Sequence, residues 1–188
     1  MKSTIKTMLL AAGALCTLVA SASAVSLENT NIDYKSLTLP QAQIEMSNIR
    51  SEYETALANG DEKTAEKCVD EANALLDAQI AHLDTATNNN SRISADLSPY
   101  FTKVYWEKRS DGICLTIYPT TYLTDFHEST TIYNQSWTAL RNRYSKDSYW
   151  KNESCLRKQY MCHCFYGRLN IPWNIEPYKT SIHPLTCN

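Results

Sequence analysis

Between Gln159 and Glu176 the chain gathers two cysteines, a histidine, a tryptophan and a glutamate within 18 residues. The order is Cys162-His163-Cys164, a turn at Gly167, then Trp173-Asn174-Ile175-Glu176-Pro177. An imidazole titrates near neutral pH, so His163 is a candidate general acid or base. Glu176 is its candidate partner, and Asn174 is a candidate for orienting a substrate or stabilising an oxyanion. Arg157 and Arg168 are candidates for holding a phosphate or carboxylate. Hydrolysis by such a set requires the groups to converge within hydrogen-bond reach. The competing structural reading has His163 and Glu176 bonding buried backbone while Trp173 fills the core. Cys162, His163 and Cys164 are residue types that suit zinc, but zinc cysteines are normally spaced more widely. No metal and no cofactor is therefore expected.

The elements that must position this stretch follow a leader. Lys2 and Lys6 give a basic start, and Met8 to Ala20 is almost unbroken apolar sequence, too short to span a bilayer comfortably. Ala22-Ser23-Ala24 supplies the small residues of a peptidase site, so residues 1–24 read as a secretory signal peptide cleaved after Ala24. The expected localisation is secreted or periplasmic. Cleavage removes Cys16 and leaves Cys68, Cys114, Cys155, Cys162, Cys164 and Cys187, an even set that reads as a disulfide framework. Loss of Lys2 and Lys6 makes the chain more acidic than its formal charge of -2. That argues against a nucleic-acid grip, which works through a basic face. No second apolar stretch is long enough for a membrane span.

Residues 25–38 read as an extended leader with Tyr34 as its anchor. A helical hairpin is expected over 39–84. Thr38 and Gln41 form a capping box around Pro40, and Asn59-Gly60 ends the first helix. Ala42, Met46, Ile49, Tyr53 and Ala56 form its apolar stripe. Asp61 caps the second helix, whose stripe runs through Ala65, Cys68 or Val69, Ala72, Leu76, Ile80 and Leu83. Each stripe needs a partner: the other helix, the downstream residues or a second copy of the chain. Residues 85–98 are linker-like, and all four Trp, all three Phe and ten of twelve Tyr lie beyond Ser98. Residues 99–188 are accordingly read as a second, disulfide-stapled domain. It opens with a β-hairpin around Asp111-Gly112, with Ile113, Leu115 and Ile117 on one face and Cys114, Thr116 and Tyr118 on the other. A helix follows from Ser129 or Thr130 with the stripe Tyr133, Trp137, Leu140 and Tyr144. Gln159 to Tyr166 reads as a strand that points Cys162 and Cys164 to one face and His163 to the other. The fold class is α+β: a helical hairpin, then a small domain with a short antiparallel sheet and one main helix.

Several of these features recur together. Tyr105-Trp106, the run Ile117-Tyr118-Pro119-Thr120, Trp137, Gln159 to His163, Trp173 to Pro177 and the terminal Cys187 resemble the bacterial secreted domain-of-unknown-function family 2599, over about residues 99–188. The resemblance implies a disulfide between Cys162 and Cys187. Cys155 and Cys164 lie outside the family pattern and are left to pair with Cys114 or Cys68. The family name carries no activity. The expected function is a non-catalytic recognition or effector module, of toxin-like type, with a small hydrolase using His163 and Glu176 as the alternative. Tyr149 and Trp150, in a polar setting, are the candidate contact residues. The expected partner is an extracellular or cell-surface target, with homo-oligomerisation through the hairpin as a further option. Intact-mass analysis of the exported protein is expected to give the mass of residues 25–188; the mass of residues 1–188 would refute the cleavage.

Overall fold

The computed structural model describes residues 32–86, 96–125 and 130–188, so the expected signal peptide (residues 1–24), residues 25–31 of the expected leader and residues 87–95 of the expected linker lie outside the described residues. The helical hairpin forms as local chemistry dictates. The Thr38 N–H donates to Gln41 Oε1 at 2.9 Å and Pro40 sits in the first turn of α1, Leu39–Asn59. Gly60 closes α1 at φ 68°, a left-handed conformation that costs glycine little. Asp61 then accepts from the Thr64 N–H at 3.1 Å and opens α2, Glu62–Ala86. Just before the hairpin, Tyr34–Ser36 make one 3-10 turn, and Tyr34 packs on the hairpin's core.

Both helices find their partners within the chain. Ala42, Met46 and Ile49 of α1 pack against Cys68, Ala72 and Leu75 of α2, with Leu185 of the tail closing the cluster. Leu76 and Leu83 belong instead to a larger core with Phe101, Leu115, Ile117, Tyr133, Leu140, Leu156 and Trp173. Asp33–Asn188 is one compact unit. Polar ties reinforce the join. Asn134 Nδ2 donates to the Leu83 carbonyl at 3.0 Å, and Lys158 pairs with Asp77 at 2.8 Å.

The sheet is antiparallel, in the order β1 (Phe101–Arg109), β2 (Gly112–Pro119), β3 (Trp173–Ile175). Leu115 lies opposite Ile175 and Ile117 opposite Trp173, so these four bury one face. Thr116 lies opposite both Tyr105 and Asn174 on the other face. A four-residue helix α3, Thr121–Thr124, leads toward α4, Thr130–Tyr144. Trp106 Nε1 donates to Asp147 at 2.8 Å and the Tyr144 hydroxyl donates to the Val104 carbonyl at 2.9 Å, fixing the end of α4 on β1.

Gln159 to Tyr166 is helical rather than a strand: α5 runs over Glu153–Phe165. Residues 153–158 form its first part, so the C-terminal region has two main helices where one was expected. Every residue from Gln159 to Phe165 is buried. A helix enclosed on all sides shows no polar stripe, and the alternation of Tyr160, Cys162 and Cys164 imitates a strand. The local signal that favours helix is composition, because residues 153–165 contain no Val, Ile or Thr. As a consequence Cys162 and Cys164 point to different sides of α5.

Cys162 is bridged to Cys187 with 5.4 Å between their Cα atoms. Cys68, Cys114, Cys155 and Cys164, also expected in bridges, are free and buried. They lie on α2, β2 and opposite ends of α5. The bridge closes a separation of 25 residues and ties the tail to α5. Opening it with Cys162→Ser or Cys187→Ser is expected to lower stability by roughly 3 kcal/mol in the chain-entropy account, measured by urea unfolding. Thiol titration of the denatured, unreduced mature protein is expected to count four free thiols; none, or six, would contradict the arrangement.

Candidate functional site

α5 and β3 bring the sequence-selected residues into one region but give them separate tasks. His163 is 4% exposed and lies parallel to the Trp173 ring, with 5.7 Å between centroids. No hydrogen bond of ordinary geometry reaches either ring nitrogen. Burial pushes its pKa down to about 4; the nearby Gly167 and Asn174 backbone and the Glu176 charge oppose that only in part. Gly167 shows how tight the packing is, since a Cβ there would sit 3.1 Å from His163 Nδ1 and 3.2 Å from Cys187 Sγ.

Glu176 is 6% exposed and faces other partners. Its carboxylate accepts from the Tyr178 hydroxyl at 3.0 Å and pairs with Lys179 at 2.5 Å. Its backbone exchanges two hydrogen bonds with the Gln159 amide, N–H to Oε1 at 2.7 Å and Nε2 to the carbonyl at 3.2 Å. Asn174 points to the opposite sheet face from Trp173. Its Oδ1 accepts from Arg109 Nη2 at 2.8 Å and from the Thr116 hydroxyl at 3.1 Å. The side chains of His163, Glu176 and Asn174 thus share no hydrogen bond with one another among the described residues.

Asn174 instead belongs to a polar network that sequence reasoning missed. Glu107 Oε2 accepts from Arg109 Nε at 3.0 Å and from the Thr116 hydroxyl at 3.0 Å, and the Cys114 thiol lies 3.3 Å from Thr116 Oγ1. The hydrogen bond from Thr116, then the one from Arg109, holds the Glu107 carboxyl below its usual range. Burial raises the Cys114 thiol, against the Thr116 bond and the Arg109 charge. A thiol held protonated is a packing group and a weak donor, not an activated nucleophile. Alternation along β2 had placed Cys114, Thr116 and Tyr118 on one face. The contribution of Asn174 came from a strand 58 residues away.

The binding candidates divide similarly. Arg157 is committed to a two-pronged pair with Asp84, one arm at 3.0 Å and the other at 2.5 Å. Trp150 donates to Glu153 at 3.0 Å and packs on Trp137, whereas Tyr149 is 47% exposed with one ring edge against Trp106. Arg168 lines a groove between α1 and the turn after α5, together with Arg50. Cys162 is taken by the disulfide. Among the described residues no three His, Cys, Asp or Glu side chains gather as a metal-binding group, and no helix is long and apolar enough to cross a membrane.

The buried imidazole has a measurable consequence. Its folded pKa of about 4 lies below the ordinary 6.5, so between those values the unfolded chain binds more protons. Its contribution is complete above about pH 6.5 and is lost as pH falls toward 4, by on the order of 3 kcal/mol. Urea unfolding of wild type and His163→Gln across that range is expected to show a steeper acid loss in wild type. Parallel curves would show that His163 titrates alike in both states.

Neither a curated protein nor a solved structure matches the chain. Residues 101–187, which include the sheet, the bridge, α4, α5 and all of His163, Asn174 and Glu176, match the family model described as "Protein of unknown function (DUF2599)". Over that segment the chain is similar to the family.

Proposed function

We propose that this protein is an exported, non-catalytic recognition module of effector or toxin type that engages an extracellular or cell-surface target. The observation that carries this reading is the turn between α5 and β3. Leu169 is 77% exposed and Ile171 is 47% exposed, on a segment fixed at both ends. At one end the bridge holds α5 to the tail, and at the other Trp173 Nε1 donates to the Arg168 carbonyl at 3.2 Å. A rigid loop that presents aliphatic side chains to water binds a partner with little ordering cost. Tyr149 adds an aromatic contact of low entropic cost. The N-terminal signal pattern supports export. Ile44 and Leu57, exposed on α1, are the residues through which the hairpin would self-associate.

Fluorophore-labelled mature protein applied to intact bacterial and eukaryotic cells is expected to bind one of them saturably. Leu169→Asp and Tyr149→Ala are each expected to weaken that binding about tenfold, with the thermal midpoint unchanged. The hydrolase alternative makes the opposite forecast. His163→Ala and Glu176→Ala would each abolish a hydrolytic activity while both surface variants kept it.

A further inference from the structure

The outer face of the sheet carries aromatic side chains that the core does not use. Strand register sets Tyr105, Thr116 and Asn174 in one row across β1, β2 and β3, with Tyr118 on one side of that row and Glu107 on the other. Tyr178 closes the far end. Its ring lies where a side chain at Gly112 would project, since a Cβ there would sit 2.6 Å from Tyr178 Cε1. Among the described residues Tyr105, Tyr118 and Tyr178 belong to neither core cluster, and Tyr178 is exposed. The distance along β2 from Tyr118 to Gly112 is about 20 Å at the usual strand rise, so the face has an aromatic ring at each end and polar groups between.

The polar centre is held in place from within. Arg109 Nε and Nη2 lie 3.0 and 2.9 Å from the same oxygen, Glu107 Oε2. Thr116 Oγ1 bridges that oxygen to Asn174 Oδ1, at 3.0 and 3.1 Å. Among the described residues Glu107 Oε1 and Arg109 Nη1 take no hydrogen bond, so an acceptor and a donor remain side by side on rigid strands. The charges are matched. Glu107 is paired with Arg109 and Glu176 with Lys179. Lys103 Nζ lies 4.5 Å from the Tyr105 ring centroid at one end, and Asp111 accepts from the Tyr178 hydroxyl at 3.3 Å at the other. Such a balance favours neither a phosphate nor a metal cation. An uncharged sugar fits it better. Each of its hydroxyls both donates and accepts, and its C–H face can lie on a phenol ring.

We propose that the outer face of the sheet binds an uncharged oligosaccharide, with sugar rings lying on Tyr118 and Tyr178 and hydroxyls bonded to Glu107, Arg109 and Asn174. The surface includes neither Leu169 nor Tyr149, so it goes beyond the recognition reading above and gives the chemical class of a ligand for a separate face. The spacing of the two rings calls for a ligand longer than one sugar unit.

The test uses the full mature chain and calorimetric titration with cellohexaose, chitohexaose and maltohexaose, and with an oligogalacturonate as the charged comparison. Saturable binding of at least one uncharged probe is expected, little changed by added salt. Tyr118→Ala, Tyr178→Ala and Asn174→Ala should each weaken it by about tenfold or more. Tyr178→Phe keeps the ring and should retain binding within about threefold, which separates stacking from loss of the hydroxyl. Tyr122→Ala, at an exposed tyrosine on α3, should leave binding unchanged. Thermal midpoints of all variants check that each is folded. The proposal is overturned by no saturable binding of any uncharged probe, by binding confined to the oligogalacturonate, by binding that survives the folded alanine variants of this face, or by an equal loss in Tyr122→Ala. Cell binding without oligosaccharide binding removes this site and leaves the recognition reading standing; oligosaccharide binding without cell binding does the reverse.

Discussion

The enclosure of α5 is the constraint on which the rest of this structure depends. Seven consecutive residues, Gln159 to Phe165, are buried, so the helix needs apolar cover in every direction. β3 supplies Trp173, α4 supplies Trp137 and Tyr133, α2 supplies Leu76 and Leu83, and the tail supplies Cys187. Burial of this kind is the main favourable term in folding, at about 25 cal/mol per Å² of apolar surface. It is strongest where every wall is present at once. The hairpin is therefore part of the core's enclosure and not an appendage, and the bridge to Cys187 keeps the last wall in place.

Enclosure also fixes how polar groups inside the shell must behave. Buried polar atoms need partners, and most here have them. The Gln159 amide pairs with both backbone groups of Glu176, and the Tyr160 hydroxyl donates to Ser136 Oγ at 2.7 Å. His163 is one of the exceptions among the described residues, with both ring nitrogens outside ordinary hydrogen-bond geometry. It is packed by stacking on Trp173 and held neutral by desolvation, which costs far less than burying an imidazolium. The same sheet that hides His163 on one face carries the Glu107, Arg109, Thr116 and Asn174 network on the other. Two strand neighbours, Trp173 and Asn174, thus serve opposite sides of one layer.

Legibility in the sequence followed the range of the interactions. The α1–α2 hairpin was readable because its signals are local: the Thr38–Gln41 cap, Pro40, the left-handed Gly60 and the Asp61 cap. The β1–β2 hairpin was readable from Asp111-Gly112 and from alternation along β2. The helical state of Gln159 to Phe165 was hidden because a fully buried helix loses the polar face that periodicity detects. The free state of Cys68, Cys114, Cys155 and Cys164 was hidden too, since pairing requires Cα atoms within about 7 Å, a property of space and not of spacing.

By itself the sequence determined the α+β class, the helix ends and turns, the alternation of β2 and the resemblance that pointed to Cys162 and Cys187. These rest on torsional preferences, caps and periodicity that act over a few residues. Only the tertiary structure decided that α5 is a helix, that Asn174 bonds to Arg109 and Thr116 instead of facing His163, and that Arg50 and Arg168 share one groove. Those outcomes join residues far apart in the chain, and the packing that brings them together is set by the burial of whole faces, which no short stretch of sequence contains.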